Sequence, residues 1–197
     1  VSLVIVMLVS AFQRMILYET AYGFSTLRTY THIFMIWLGI LLFATIVLEI
    51  IQRQRAFALM AVIAMVGFGL TLNVLNVDAL IVRQNVRLAQ TGHPLDMNYL
   101  QTLTNDAVPQ MVEEYTRADL STAIKERLGV ALACKASAYE DLTYSPLWVS
   151  YHLSEARAVQ SLQSVQGQLP ELDLDEYGMT QVQGEDFYCS PQGFGMD

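Results

Sequence analysis

The chain has 197 residues, 53% of them hydrophobic, and carries 11 Lys and Arg against 19 Asp and Glu. The charge is unevenly placed: before Asn76 four Arg face Glu19 and Glu49, a net +2, whereas after it seven basic residues face seventeen acidic ones, a net −10. A segment that acidic is repelled by phosphate backbones, which excludes nucleic acid as a partner and argues against rest on an anionic lipid surface.

Taken in order, Val1 to Phe12 is an apolar run too short to cross a bilayer alone. It lacks the basic start and small-residue cleavage site of a signal peptide, so it is expected to be the end of a spanning helix that begins in a longer precursor. Gln13-Arg14 is taken as its exit, and residues 14–30 as an interfacial connector. Arg14, Tyr18, Tyr22, Arg28 and Tyr30, with His32 and Trp37 just beyond, supply the amphipathic rings and snorkelling cations expected at headgroup level. Ser25 can cap a short helix running on through Arg28.

Two full spans follow, at about 31–51 and 56–74, each close to the roughly 20 apolar residues that a helix needs to cross the hydrocarbon. Glu49 precedes Arg53 by four residues, an order that suits an i, i+4 ion pair at the interface. Ala58, Ala61, Ala64 and Gly67 recur at three-residue spacing and predict a close-packing face, with Gly39 and Ala44 as its partner. Arg53 and Arg55 in the short connection favour the cytoplasm, which would put everything after Asn76 outside it, on the periplasmic side.

Residues 76–166 are expected to form a helical domain. Asn76 or Asp78 can cap a helix to about Gln90, and Asp96 one to Leu103. Asp106 to Thr116, with Pro109 in its first turn, has an apolar stripe of Val108, Met111, Val112 and Tyr115. Asp119 opens a helix to about Tyr139 with Leu120, Ile124, Leu128, Ala131 and Cys134 inward. Ser145-Pro146 opens another to about Gln166, with Val149, Leu153, Ala156, Val159 and Leu162 on one side. From Gly167 the periodicity stops, and 167–197 is predicted to be an irregular acidic tail without a core of its own. The fold class expected is therefore all-α: two full spans and a partial one, an extracytoplasmic helical-hairpin domain, and the tail.

The run Arg14-Met15, Leu17-Tyr18-Glu19, Ala21-Tyr22-Gly23, Leu27-Arg28, Tyr30, His32, Phe34-Met35, Trp37-Leu38 resembles a family of bacterial multi-pass inner-membrane proteins catalogued only as a domain of unknown function. The resemblance continues in Asn76 to Ile81 with Asn85, in Leu95-Asp96 with Tyr99-Leu100, and in Asp106 to Pro109. It implies further spanning helices upstream and carries no activity or catalytic residue.

Chemical signatures are sparse. Cys134 and Cys189 either form a bridge closing a loop of about 55 residues, worth roughly 4 kcal/mol in the chain-entropy account, or remain two thiols, and two cysteines alone leave both readings open. His32, His93 and His152 stand in no metal-ligand spacing, and no phosphate loop or nucleophile elbow occurs. The expectation is a non-catalytic accessory subunit without cofactors or metal, held in the lipid bilayer and partnered by other membrane subunits. The alternative is the C-terminal part of a multi-pass transporter or sensor.

Overall fold

In the computed structural model, residues 2–137, 139, 153–175 and 178–189 are described, and they fall into two units dividing at Val77 and Asp78. The first unit is three helices long and apolar enough to cross a membrane: α1 (Ser2–Tyr22), α2 (Thr26–Ile50) and α3 (Phe57–Val74). At about 1.5 Å per residue, α1 reaches about 31 Å.

Here the expected interfacial connector is corrected. Residues 14–22 continue α1, α2 begins at Thr26, and only Gly23–Ser25 links them. The polar residues of this stretch, Gln13, Arg14 and Glu19, are good helix formers, and nothing before Gly23 breaks the backbone ladder. Ser25 occupies the cap position of α2 in extended conformation without a side-chain cap bond, and Arg28 Nη1 donates to Gly23 O at 2.8 Å, closing the turn.

At the other end of α2 the helix stops at Ile50, and Gln52 adopts the left-handed region (φ 58°) before a 3-10 turn at Gln54–Ala56. This reversal separates Glu49 from Arg53, so the expected ion pair does not form: an i, i+4 pair requires the helix to continue between its members. Both side chains are exposed.

The α2–α3 contact is built on Gly67. A Cβ there would collide with the ring of Trp37, whose Nε1 donates to Thr71 Oγ1 at 3.1 Å while Thr71 Oγ1 donates to Gly67 O at 2.8 Å. Phe34 meets Phe68 edge-on at 6.0 Å. Trp37, expected near the start of its helix, lies well inside α2 and packs on α3, because α2 starts five residues earlier than expected. Ala61 and Ala64 are half-buried on the face of Gly67, whereas Ala58 is exposed, and a Cβ on Gly39 would meet Leu8 of α1 at 3.5 Å rather than α3.

The second unit holds α4 (Val77–Gln90), α5 (Met97–Thr102), α6 (Val108–Thr116), α7 (Thr122–Ser137), α8 (Leu153–Val165) and a hairpin of β1 (Met179–Val182) and β2 (Glu185–Tyr188). Asp96 caps α5 through Tyr99 N at 2.9 Å. Asp78 instead spends its carboxylate across the fold, accepting from Thr104 N and Oγ1. The stripe Val108, Met111, Val112 and Tyr115 is buried, as are Leu120, Ile124, Leu128, Ala131 and Cys134. Helix α7 opens at Thr122 rather than Asp119: the Ser121 hydroxyl accepts from Ile124 N as its cap, while Asp119 pairs with Arg117. In α8 the inward face is Ala158, Leu162 and Val165, and Leu153 points out at 55% exposure. The start of that helix at Ser145 and the packing of Val149 lie outside the described residues.

The largest departure from expectation is the tail. Residues 169–175 carry no helix or strand, and residues 179–188 pair antiparallel with Val182 opposite Glu185. The two-residue turn Gln183-Gly184 has both φ positive (54° and 81°), the geometry that matches strand twist. Phe187 is fully buried with Met97, Val130, Cys134, Val182 and Cys189, flanked by Leu172. Tyr115 Oη donates to Gln168 O at 2.6 Å, and Pro170 lies against Gly129, so the segment before the hairpin is also fastened. The acidic composition hid this core because its members are few and separated in sequence.

Candidate functional site

The polar centre of the first unit lies between α1 and α2, close to their Gly23–Ser25 link. Glu19 sits three residues before the end of α1, and His32 six residues after the start of α2, so both are within about 10 Å of the link at helical rise. His32 Nδ1 stands 2.9 Å from Glu19 Oε1, with side-chain exposures of 14% and 6%. The two atoms are close enough for an ion pair but are not aligned as a hydrogen bond. Glu19 Oε1 and His32 Nε2 are both buried without a hydrogen-bond partner. The Phe12 ring meets the imidazole edge-on at 4.8 Å and covers one side.

The local sequence explains the placement. With α1 unbroken to Tyr22, Phe12 and Glu19 are seven residues apart and share one helix face. Thr29 and Ile33 of α2 are also buried, and the Thr29 hydroxyl donates to Ser25 O. His32 is expected at the water boundary in a snorkelling or hydrogen-bonding role; the structure leaves its side chain 14% exposed and turned to Glu19, which is buried. The signal that could have revealed Glu19 is the absence of any helix breaker between Phe12 and Tyr22, which turns an assumed surface acid into a helix-face acid.

The other expected anchors behave as surface groups. Arg14, Tyr18, Tyr22 and Tyr30 are exposed, Tyr18 stacks on Tyr22 at 6.1 Å, and Arg28 is half-buried on Gly23 O. Glu49 lines a shallow pocket with Thr45, Leu48, Gln54 and Phe57.

In the second unit Cys134 and Cys189 are joined by a disulfide, their Cα atoms 5.6 Å apart and both residues essentially inaccessible. Around it polar groups hold the hairpin. Arg127 donates to Leu95 O, Gln183 and Glu185, and this guanidinium holds the Glu185 carboxyl below the usual carboxylate range. Gln183 Nε2 donates to Ala123 O and Glu126. Lys135 donates to Gln101 O and Leu103 O; burial lowers its ammonium to about 8, partly opposed by the Asp78 carboxylate. Among the described residues no three His, Cys, Asp or Glu side chains converge as a metal cluster. His152 lies outside the described residues.

Apolar helices of spanning length joined to a helical domain define a helical membrane protein. Over residues 1–114 the chain matches the model of DUF4153, described as a domain of unknown function, and it belongs to that family. The match ends within α6, so α7, α8 and the hairpin lie beyond it. No curated protein and no solved structure matches the chain.

Proposed function

We propose that the chain is a non-catalytic accessory subunit of a bacterial inner-membrane complex, anchored by its spanning helices and docking through an extracytoplasmic domain. The observation that carries this reading is the closed second unit. A buried disulfide fastens the hairpin to α7, which suits an oxidising compartment and yields a rigid acidic surface rather than a loose strap. Its complement is a basic face on another membrane subunit. Two basic residues in the α2–α3 connection support the same orientation, with that connection in the cytoplasm.

The test is purification from the native membrane in gentle detergent with mass spectrometry of the copurifying chains and of the intact mass. Stoichiometric partners support the reading, and a chain that travels alone overturns it. Orientation is checked separately. With both native cysteines in the disulfide, Gln54→Cys supplies a single thiol, expected to resist an impermeant maleimide on intact spheroplasts and to react after permeabilisation.

A second reading, the C-terminal part of a multi-pass transporter or sensor, is favoured by one feature: Glu19 and His32 buried between two spanning helices. Ionisable groups there are costly, and those that persist serve a pathway or a switch by default.

A further inference from the structure

We propose that Glu19 and His32 form a proton-binding site, taking up one proton from the aqueous side of the Gly23–Ser25 link and releasing it there. The inference rests on the transporter-or-sensor reading and names the ligand of that site.

The argument is one of charge. With Glu19 ionised and His32 neutral, the pair carries a net −1 inside an apolar helix contact, and burying an uncompensated charge is costly. Among the described residues no Lys or Arg side chain forms an ion pair with either member, although Arg28 keeps its charge at the link. On α1, Arg14, Tyr18 and Tyr22 are exposed; on α2, Tyr30 is exposed and Arg28 is committed to Gly23 O. Glu49, Arg53 and Arg55 lie at the opposite end of α2, and α3 holds no ionisable residue. One proton added to the imidazole converts the pair to a carboxylate and an imidazolium, net zero, at the 2.9 Å separation already present.

The unpartnered atoms point the same way. In a settled structural pair both groups would be satisfied by aligned hydrogen bonds, yet here Glu19 Oε1 and His32 Nε2 have none, and His32 Nδ1 is not aligned on the carboxylate. The site is therefore poised between two arrangements. A small rotation of either side chain, with the proton gained, aligns the contact, while the position near the helix ends gives a short route to water. The pair is one of the contacts between α1 and α2, beside Phe12 on His32 and Leu8 at Gly39.

The experiment uses the full chain in lipid nanodiscs, with ¹⁵N-labelled histidine followed by NMR from pH 8 to pH 5 and the His32 signal identified by its loss in His32→Asn. The expected result is conversion of the neutral ring to an imidazolium as the pH is lowered. Glu19→Gln, with helix content checked by circular dichroism, is expected to abolish the transition there. A His32 signal that stays neutral throughout overturns the proposal, as does a transition that survives Glu19→Gln, since it would then belong to the imidazole alone. Should that variant not fold, infrared spectra of the wild type labelled with ¹³C-carboxyl glutamate decide. A carboxylate band perturbed over the same pH interval as the His32 transition supports the pair, and a band that stays fixed while His32 titrates overturns it. Proton flux in liposomes of the longest form of the protein tests the transporter reading on its own, so a silent pair and a missing flux are distinct failures.

Discussion

The two units of this protein bury their side chains by opposite rules. In the first, α3 has no buried residue, and Leu59, Val62, Met65, Val66 and Leu70 are all exposed. In the second, Ile81, Val86, Leu100, Met111, Leu128, Leu132, Leu162 and Phe187 are wholly enclosed. Apolar exposure is the stable state in lipid, where packing of small residues and a few polar contacts hold helices together. In water the same exposure would be costly, and the second unit gathers its apolar groups into a core. The two units thus depend on different bonds, and substitutions should separate them.

The largest separation is expected from the disulfide. Replacing Cys134 and Cys189 by Ser removes a closure spanning 55 residues and should destabilise the second unit by about 4 kcal/mol in the chain-entropy account. Urea titration followed by pulse proteolysis reads this, and the first unit's fragments should keep their protection. Phe187→Ala, which empties the centre of the hairpin core, should cost about 3 kcal/mol by the same assay; an unchanged midpoint would mean that the hairpin does not pack as described.

The pH dependence of the second unit should follow Lys135. Its ammonium is lowered to about 8 from an ordinary 10.5 in the unfolded chain, so between those values the unfolded state binds more protons. Stability therefore rises with pH from about 8 to about 10.5, by on the order of 2 kcal/mol. Lys135→Met should flatten that slope, measured as urea midpoints across the interval.

In the first unit, Gly67→Leu forces the Trp37 ring out of its seat and should cost about 2 kcal/mol. The expected sign is loss of the emission characteristic of Trp37 between α2 and α3, with the second unit's urea midpoint unmoved. The smallest effect is Asp96→Ala, which removes the cap on Tyr99 N and should cost about 1 kcal/mol.

Legibility in the sequence followed the same division. The helix faces of the second unit were readable wherever period and cap agreed, as in Val108 to Tyr115 and at Asp96. The hairpin was not, since only Val182, Phe187 and Cys189 of a short segment are buried and their partners Met97, Val130 and Cys134 lie over 45 residues away. Glu49 and Arg53 show the converse: correct spacing for a pair, undone by one left-handed residue between them. Glu19 and His32 were invisible as a pair because thirteen residues and a chain reversal separate them.

The sequence by itself determined that this protein has apolar helices of spanning length and an acidic helical domain, since both follow from local composition and period, which act within a few turns of chain. Only the tertiary structure decided that the tail closes as a strand pair over α7, that Trp37 packs on Gly67, and that a carboxylate and an imidazole face each other between α1 and α2. Each of these depends on a contact between residues distant in sequence, whose energy is realised only once the chain has turned back on itself.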